Sequence, residues 1–174
     1  MMQPLRSWLL SLFLILALLT AQAQEPSAIV TVDQGPTERH RLKLFVGASQ
    51  IFDAHVDPVV GFELQPGWRW HGIGWWASLC GGKRTGSYAA SGIFYSFTLS
   101  ESWKLTPSFG LGYFKEGKFE LGNELEFRSA IEVTRKFQRG FKLGVSLAHI
   151  SNASLSNINP GTEAACFSVS FPIF

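Results

Sequence analysis

Leu125-Glu126-Phe127-Arg128-Ser129-Ala130-Ile131-Glu132-Val133-Thr134 is the stretch on which the fold turns. Leu125, Phe127, Ile131 and Val133 alternate with Glu126, Arg128, Glu132 and Thr134. That period of two is the pleat of a β-strand, whose successive side chains leave opposite faces. A strand with one apolar and one charged face lies between two environments. In a soluble barrel the apolar face turns inward and the charges meet water. In a membrane barrel the apolar face meets lipid and the charges pair inside. Alternation alone does not choose between them.

On either side of this stretch the chain breaks into segments of about ten residues, rich in Phe, Trp, Val, Leu and Gly and separated by turn clusters. Strands are expected at 40–50, 58–67, 70–80, 87–99, 103–114, 124–137, 140–151 and 163–173. Each is close to the ~9–11 residues that cross a bilayer at a tilt, and eight is the smallest usual number for an outer-membrane barrel. Short links are expected at Pro66-Gly67, Ser100-Glu101-Ser102 and Gln138-Arg139, and longer ones at 51–57, 81–86, 115–123 and 152–162. This alternation fits tight periplasmic turns at one end and exposed outer loops at the other.

The N-terminus and the composition favour the membrane reading. Arg6, an uncharged apolar run from Trp8 to Leu19 and Ala21-Gln22-Ala23 form the three parts of a signal peptide, cleaved after Ala23. The run is too short for a spanning helix, which needs roughly 20 apolar residues. Residues 24–174 then make one domain. Aromatic residues are 14% of the chain and charged residues only 16%, below the usual quarter, so the surface is less polar than a soluble protein's. Trp68, Trp70, Trp75, Trp103 and Tyr113 fall on or near strand ends, as in an interfacial aromatic girdle. The expected fold is an all-β, eight-stranded antiparallel transmembrane β-barrel of the bacterial outer membrane.

A net charge of +2, with no basic run interleaved with aromatics, argues against nucleic acid as a partner. Cys80 and Cys166 are too few and too far apart for a disulfide framework or a zinc site, and read as small packing residues. His40, His55, His71 and His149 show no metal-ligand spacing, so no metal is expected. The terminal Phe174 is the kind of aromatic that ends many outer-membrane barrels, although Pro172 disturbs the alternation that would align it with Phe167, Val169 and Phe171.

One polar constellation stands on an apolar face. In the seventh expected strand Phe141, Leu143, Val145 and Leu147 define a face that continues into His149 and Ser151, and in the eighth Ala165, Phe167, Val169 and Phe171 lead back to Glu163. All three polar groups thus share the outward face at the outer end of neighbouring strands, which lie ~4.8 Å apart. An imidazole beside a hydroxyl and a carboxylate is what nucleophilic catalysis requires, since the histidine activates the weak serine nucleophile and the carboxylate fixes its tautomer. The bland alternative is a set of interfacial polar residues, tolerable at a strand tip where a polar group costs only ~0–1 kcal/mol.

The stretch from His149 to Glu163, HISNASLSNINPGTE, resembles the signature of the PagL lipid A 3-O-deacylases, and LEFRSAIEV from Leu125 to Val133 is similar to the same family. The resemblance implies Ser151 as nucleophile, His149 as general base and Glu163 as its orienting partner. It implies Asn159 as an oxyanion donor, joined by backbone N–H groups near Ala153 and Ser154, although position 154 can be glycine in relatives. Phe127 matches a recurrent phenylalanine placed for acyl-chain contact. The implied substrate is lipid A of lipopolysaccharide, cleaved at the ester on position 3 of the proximal glucosamine without any cofactor, and a homodimer is compatible with the resemblance. Three other readings stay open: a non-enzymatic barrel of the OmpX kind, a lipid A acyltransferase of the PagP kind, and a soluble lipocalin-like ligand barrel.

Overall fold

The computed structural model describes residues 31–32, 38–53 and 55–173. The expected signal peptide and Phe174 lie outside the described residues. Eight strands follow one another around a closed antiparallel sheet: β1 (Arg41–Ser49), β2 (Asp57–Gln65), β3 (Ile73–Gly82), β4 (Gly86–Tyr95), β5 (Trp103–Glu116), β6 (Leu125–Lys136), β7 (Lys142–Ser151) and β8 (Thr162–Pro172). Closure comes from β8 pairing with β1, from Ala164 opposite Ser49 to Pro172 opposite Arg41. No barrel edge is therefore left with unpaired backbone groups, the condition for a sheet to stand in lipid. Phe97–Thr98 prolongs the pairing with β5 beyond β4, and Thr31–Val32 pairs with it in turn.

The eight expected strands are all present, with their ends displaced by a few residues, but two links differ from expectation. The segment between β2 and β3 is long, running from 66 to 72, because residues 70–72, expected to open the third strand, form a tight turn instead. Trp70 and Ile73 exchange both backbone hydrogen bonds, at 3.0 and 2.9 Å, around His71 (φ 49°) and Gly72 (φ 82°). Two consecutive left-handed residues are the geometry that matches strand twist in a two-residue hairpin. Conversely, the outer link between β3 and β4 shrinks to Lys83-Arg84-Thr85. The Asp57 side chain tightens it, Oδ2 accepting hydrogen bonds from the backbone N–H groups of Arg84 (2.9 Å) and Thr85 (2.7 Å) and from the Thr85 hydroxyl (2.8 Å).

The faces divide as a membrane barrel requires. Leu44, Val46, Val60, Phe109, Leu111, Val145, Leu147 and Phe167 are exposed on the outer wall, and the expected girdle residues Trp68, Trp70, Trp75, Trp103 and Tyr113 are exposed with them. Inside, Trp76, Tyr88, Phe94, Phe114 and Leu121 pack into an apolar cluster. Beside it runs an ionic lattice: Lys43 Nζ lies 2.7 Å from Glu63 and 3.3 Å from Glu132, Arg128 lies 3.7 Å from Glu63, and the Ser168 hydroxyl donates to Glu132 at 2.8 Å. Near the end of the barrel where β1 begins and β8 ends, Glu38 faces Lys104 (3.0 Å), Arg69 (3.6 Å) and Lys142 (3.8 Å).

Because Lys43 separates two buried carboxylates, its removal leaves both charges without their shared counterion. We expect Lys43→Ala to destabilise the barrel by about 3–5 kcal/mol, the usual cost of breaking a buried pair from one side. Adding Glu63→Gln should recover part of the loss. Urea unfolding in lipid vesicles measures it, and an unchanged midpoint in the single variant would refute the argument.

Candidate active site

The register of β6, β7 and β8 brings the sequence-predicted residues together at the outer end of the wall. Glu163 is the cross-strand partner of His149, and Phe127 is that of Ser151. Directly paired residues in adjacent strands have side chains within contact range. Accordingly His149 Nδ1 and Glu163 Oε1 are 3.0 Å apart. With Glu163 ionised, Nδ1 carries the hydrogen and donates it, which leaves the lone pair on Nε2. Ser151 is two residues beyond His149 on the same face, about 7 Å along the strand, and is itself buried.

The imidazole is confined from above by Gly161. This residue has φ +67°, and a Cβ placed on it would stand 2.9 Å from His149 Cε1 and 3.4 Å from Nε2. Only a residue without a side chain both adopts that backbone and lets the chain close against the ring. In the sequence Gly161 is only a member of the family-like stretch HISNASLSNINPGTE and of the link 152–162, and nothing there announces this contact.

A second residue that sequence reasoning missed is Asn152, which is fully buried and organises the loop after β7. Its Nδ2 faces the carbonyls of Leu121 (2.9 Å) and Ile158 (2.8 Å) and the Ser156 hydroxyl (3.0 Å), while its Oδ1 accepts from the Ser154 N–H at 3.0 Å. Ala153 (φ 53°) and Ser154 (φ 66°) are both left-handed, a conformation these bonds sustain against its steric cost. The side-chain oxygen of Asn159 accepts from the backbone N–H of Asn152 at 3.1 Å, which turns its amide nitrogen the other way, 3.5 Å from the Ser154 hydroxyl. Of the expected oxyanion donors, Asn159 therefore presents an oriented amide, whereas the Ser154 N–H is already committed to Asn152.

Asn152→Ala removes a buried amide and strands the Leu121 carbonyl, which costs about 1–3 kcal/mol to leave unsatisfied, whereas the Ile158 carbonyl keeps the Ser156 hydroxyl as a donor. The loop should open locally rather than unfold the barrel. Limited proteolysis is expected to cut the variant within 152–161 while β1–β8 stay protected; equal resistance to the wild type would remove Asn152 from this role.

Around the constellation the wall is apolar. Phe127 is half-buried and stacks on Phe109 with ring centroids 6.2 Å apart and planes inclined by 20°. No group of three or more His, Cys, Asp or Glu among the described residues could hold a metal ion.

Comparison with known proteins bears on the family and the fold. The family model described as "Lipid A 3-O-deacylase (PagL)" matches residues 58–172, which contain all but the first residue of β2, the whole of β3 to β8 and every residue of the constellation. Among solved structures, the "Crystal structure of the outer membrane enzyme PagL" is similar at a TM-score of 0.63 and 23% identity, covering 76% of this chain and 99% of that one. A chain from "De novo design of transmembrane beta-barrels" aligns at a TM-score of 0.55 and 13% identity, covering 80% of this chain and 98% of its own length. Neisserial surface protein A aligns at 0.55 and 6% identity, covering 80% and 100%. At these identities the structural likeness speaks for the fold, and no curated protein sequence matches. The family match spans most of the chain, and it decides the assignment: the chain belongs to the PagL lipid A 3-O-deacylase family, and is a β-barrel of the outer membrane.

Proposed function

We propose that the protein hydrolyses the ester linking the acyl chain to position 3 of lipid A, with Ser151 as nucleophile, His149 as general base and Glu163 as the group that orients His149. The observation that carries this reading is the 3.0 Å contact between His149 Nδ1 and Glu163 on the same outward face as Ser151, within the stretch that matches the family. Nε2 takes the Ser151 proton as the hydroxyl oxygen attacks the ester carbonyl. The Asn159 amide, held by its bond to Asn152, donates to the oxyanion of the tetrahedral intermediate. His149 then returns the proton to the departing sugar oxygen, and the acyl-enzyme remains. Water, deprotonated by His149, attacks that ester and releases the fatty acid.

The wall suits an amphiphilic substrate. The reacting groups sit at strand tips, at headgroup height, so an ester can be cleaved while its acyl chain stays in the bilayer against Phe127 and Phe109. Mass spectrometry of lipid A from cells with and without the protein tests the proposal. The expected change is loss of one 3-linked hydroxyacyl chain; identical spectra, or a gain of an acyl chain as from a transferase, would reject it.

A further inference from the structure

We propose that Lys83, Arg84, Lys115 and Lys118 form a platform at the outer rim that binds the phosphate groups of the lipid headgroup whose ester lies at Ser151. The inference rests on the lipid A reading above. All four side chains are exposed, and none takes part in an ion pair among the described residues. The positive charge of the outer loops is confined to this place, because the links 50–56 and 152–161 contain no Lys or Arg.

The platform is built on locked backbone. Asp57 fixes the turn that carries Lys83 and Arg84, as described above. The Arg84 carbonyl then accepts the N–H groups of Lys118 (2.6 Å) and Phe119 (3.2 Å), joining that turn to the β5–β6 hairpin. Gly117 permits the junction, since a Cβ there would run into the Arg84 carbonyl. Glu116 and Glu124 belong to the same hairpin but are engaged within it, Glu116 accepting from the Gly122 N–H at 3.3 Å and Glu124 from the Tyr113 hydroxyl at 3.2 Å. Lys115 shares the outward face of Leu111 and Tyr113, whereas Glu116 alternates to the lumen side; Glu120 stays exposed.

The same rim reaches the nucleophile. Asn152, next to Ser151, binds the Leu121 carbonyl in the β5–β6 hairpin, and Gly122 abuts Ile158. Across the sheet, Ser151 pairs with Phe127 and Phe127 with Leu111, so Ser151 and Leu111 stand at one level, two strands apart. Lys115 is four residues farther along β5, which places its Cα about 16 Å from that of Ser151 by strand spacing and rise. That is the scale of a disaccharide headgroup. One end of such a lipid can thus be held by charge while the ester at the other meets Ser151. Basic residues at an anionic lipid surface gain affinity in this way, and the gain is screened by salt.

The test uses the full barrel in detergent with Ser151→Ala, so that bound lipid is not consumed. Binding is read by energy transfer from the protein's tryptophans to micelles containing fluorescent lipid A, or the same lipid with its phosphates removed. Changing the four cations to Gln is expected to weaken binding of phosphorylated lipid by about tenfold at low salt, and to leave binding of the dephosphorylated lipid as it was. If the fourfold variant does not show the heat-modified migration of a folded barrel, Lys83→Gln/Arg84→Gln and Lys115→Gln/Lys118→Gln are measured separately, each expected to lose about threefold. Equal affinity of variant and parent for phosphorylated lipid overturns the proposal. Inorganic phosphate should compete no better than chloride at equal ionic strength; displacement specific to millimolar phosphate would make the platform a free-phosphate site and overturn its assignment to lipid. Turnover by the unaltered protein is followed separately. Binding that depends on the platform without any release of fatty acid would sink the hydrolysis reading alone.

Discussion

Ser151→Ala is expected to abolish release of the 3-linked fatty acid from lipid A, a fall of at least about four decades, while the protein still refolds to a heat-modifiable barrel. The substitution deletes one oxygen from a site where the backbone of β7 is held by pairing to Phe127, so the fold has no reason to change. Chemistry has every reason to change, because the hydroxyl that attacks the ester in the proposed mechanism is gone. Water could be recruited by His149 in its place, but it lacks the positioning that an attached hydroxyl provides. His149→Ala should be about as damaging, since members of a catalytic unit do not contribute additively. Purified Ser151→Ala with wild-type turnover, measured in detergent micelles by gas chromatography of the liberated acid, would dismiss the assigned nucleophile.

The legible part of this protein is what pleating dictates. The alternation at Leu125–Thr134 reappears as an exposed face and a lumen face, with Glu126, Glu132 and Thr134 buried as expected of charges turned inward. The same counting carried His149, Ser151 and Glu163 to one face, because strand parity extends as far as the strand does. Residue spacing alone did not give the pairing of His149 with Glu163, which depends on register, and register follows from how the loop 152–161 closes. That loop was opaque. Its shape depends on the Asn152 side chain reaching Leu121, a residue 31 positions away in sequence that belongs to another hairpin. Turn lengths failed for a similar reason. Asp57 tightens a turn 27 residues downstream, and no local pattern around Lys83-Arg84-Thr85 reveals it. The Trp70-His71-Gly72-Ile73 hairpin was disguised by its aromatic residues, which read as strand formers although His71 and Gly72 are left-handed.

For Glu163, a partial loss is expected: Glu163→Ala should lower kcat by about two to four decades, less than Ser151→Ala, on the scale of a triad carboxylate or an oxyanion donor. Its oxygen is 3.0 Å from His149 Nδ1, so in the proposed mechanism it acts through the ring rather than on the ester. In the proposed mechanism it supplies a fixed ring tautomer and a negative charge beside the imidazolium that would form as His149 takes the Ser151 proton. Without it the ring still meets Gly161 at its far edge but loses the anchor that sets which nitrogen bears hydrogen. Glu163→Gln separates these two contributions. The amide preserves shape and can still accept from Nδ1–H through its oxygen, but it carries no charge and, if turned, donates to Nδ1 and selects the wrong tautomer. We therefore expect Glu163→Gln to remain well below wild type, with KM nearly unchanged in both variants because the carboxylate acts on the transition state rather than on lipid binding. Wild-type kcat in Glu163→Ala, beside an inactive Ser151→Ala, would reduce the arrangement to a His149–Ser151 dyad with Glu163 as an interfacial bystander.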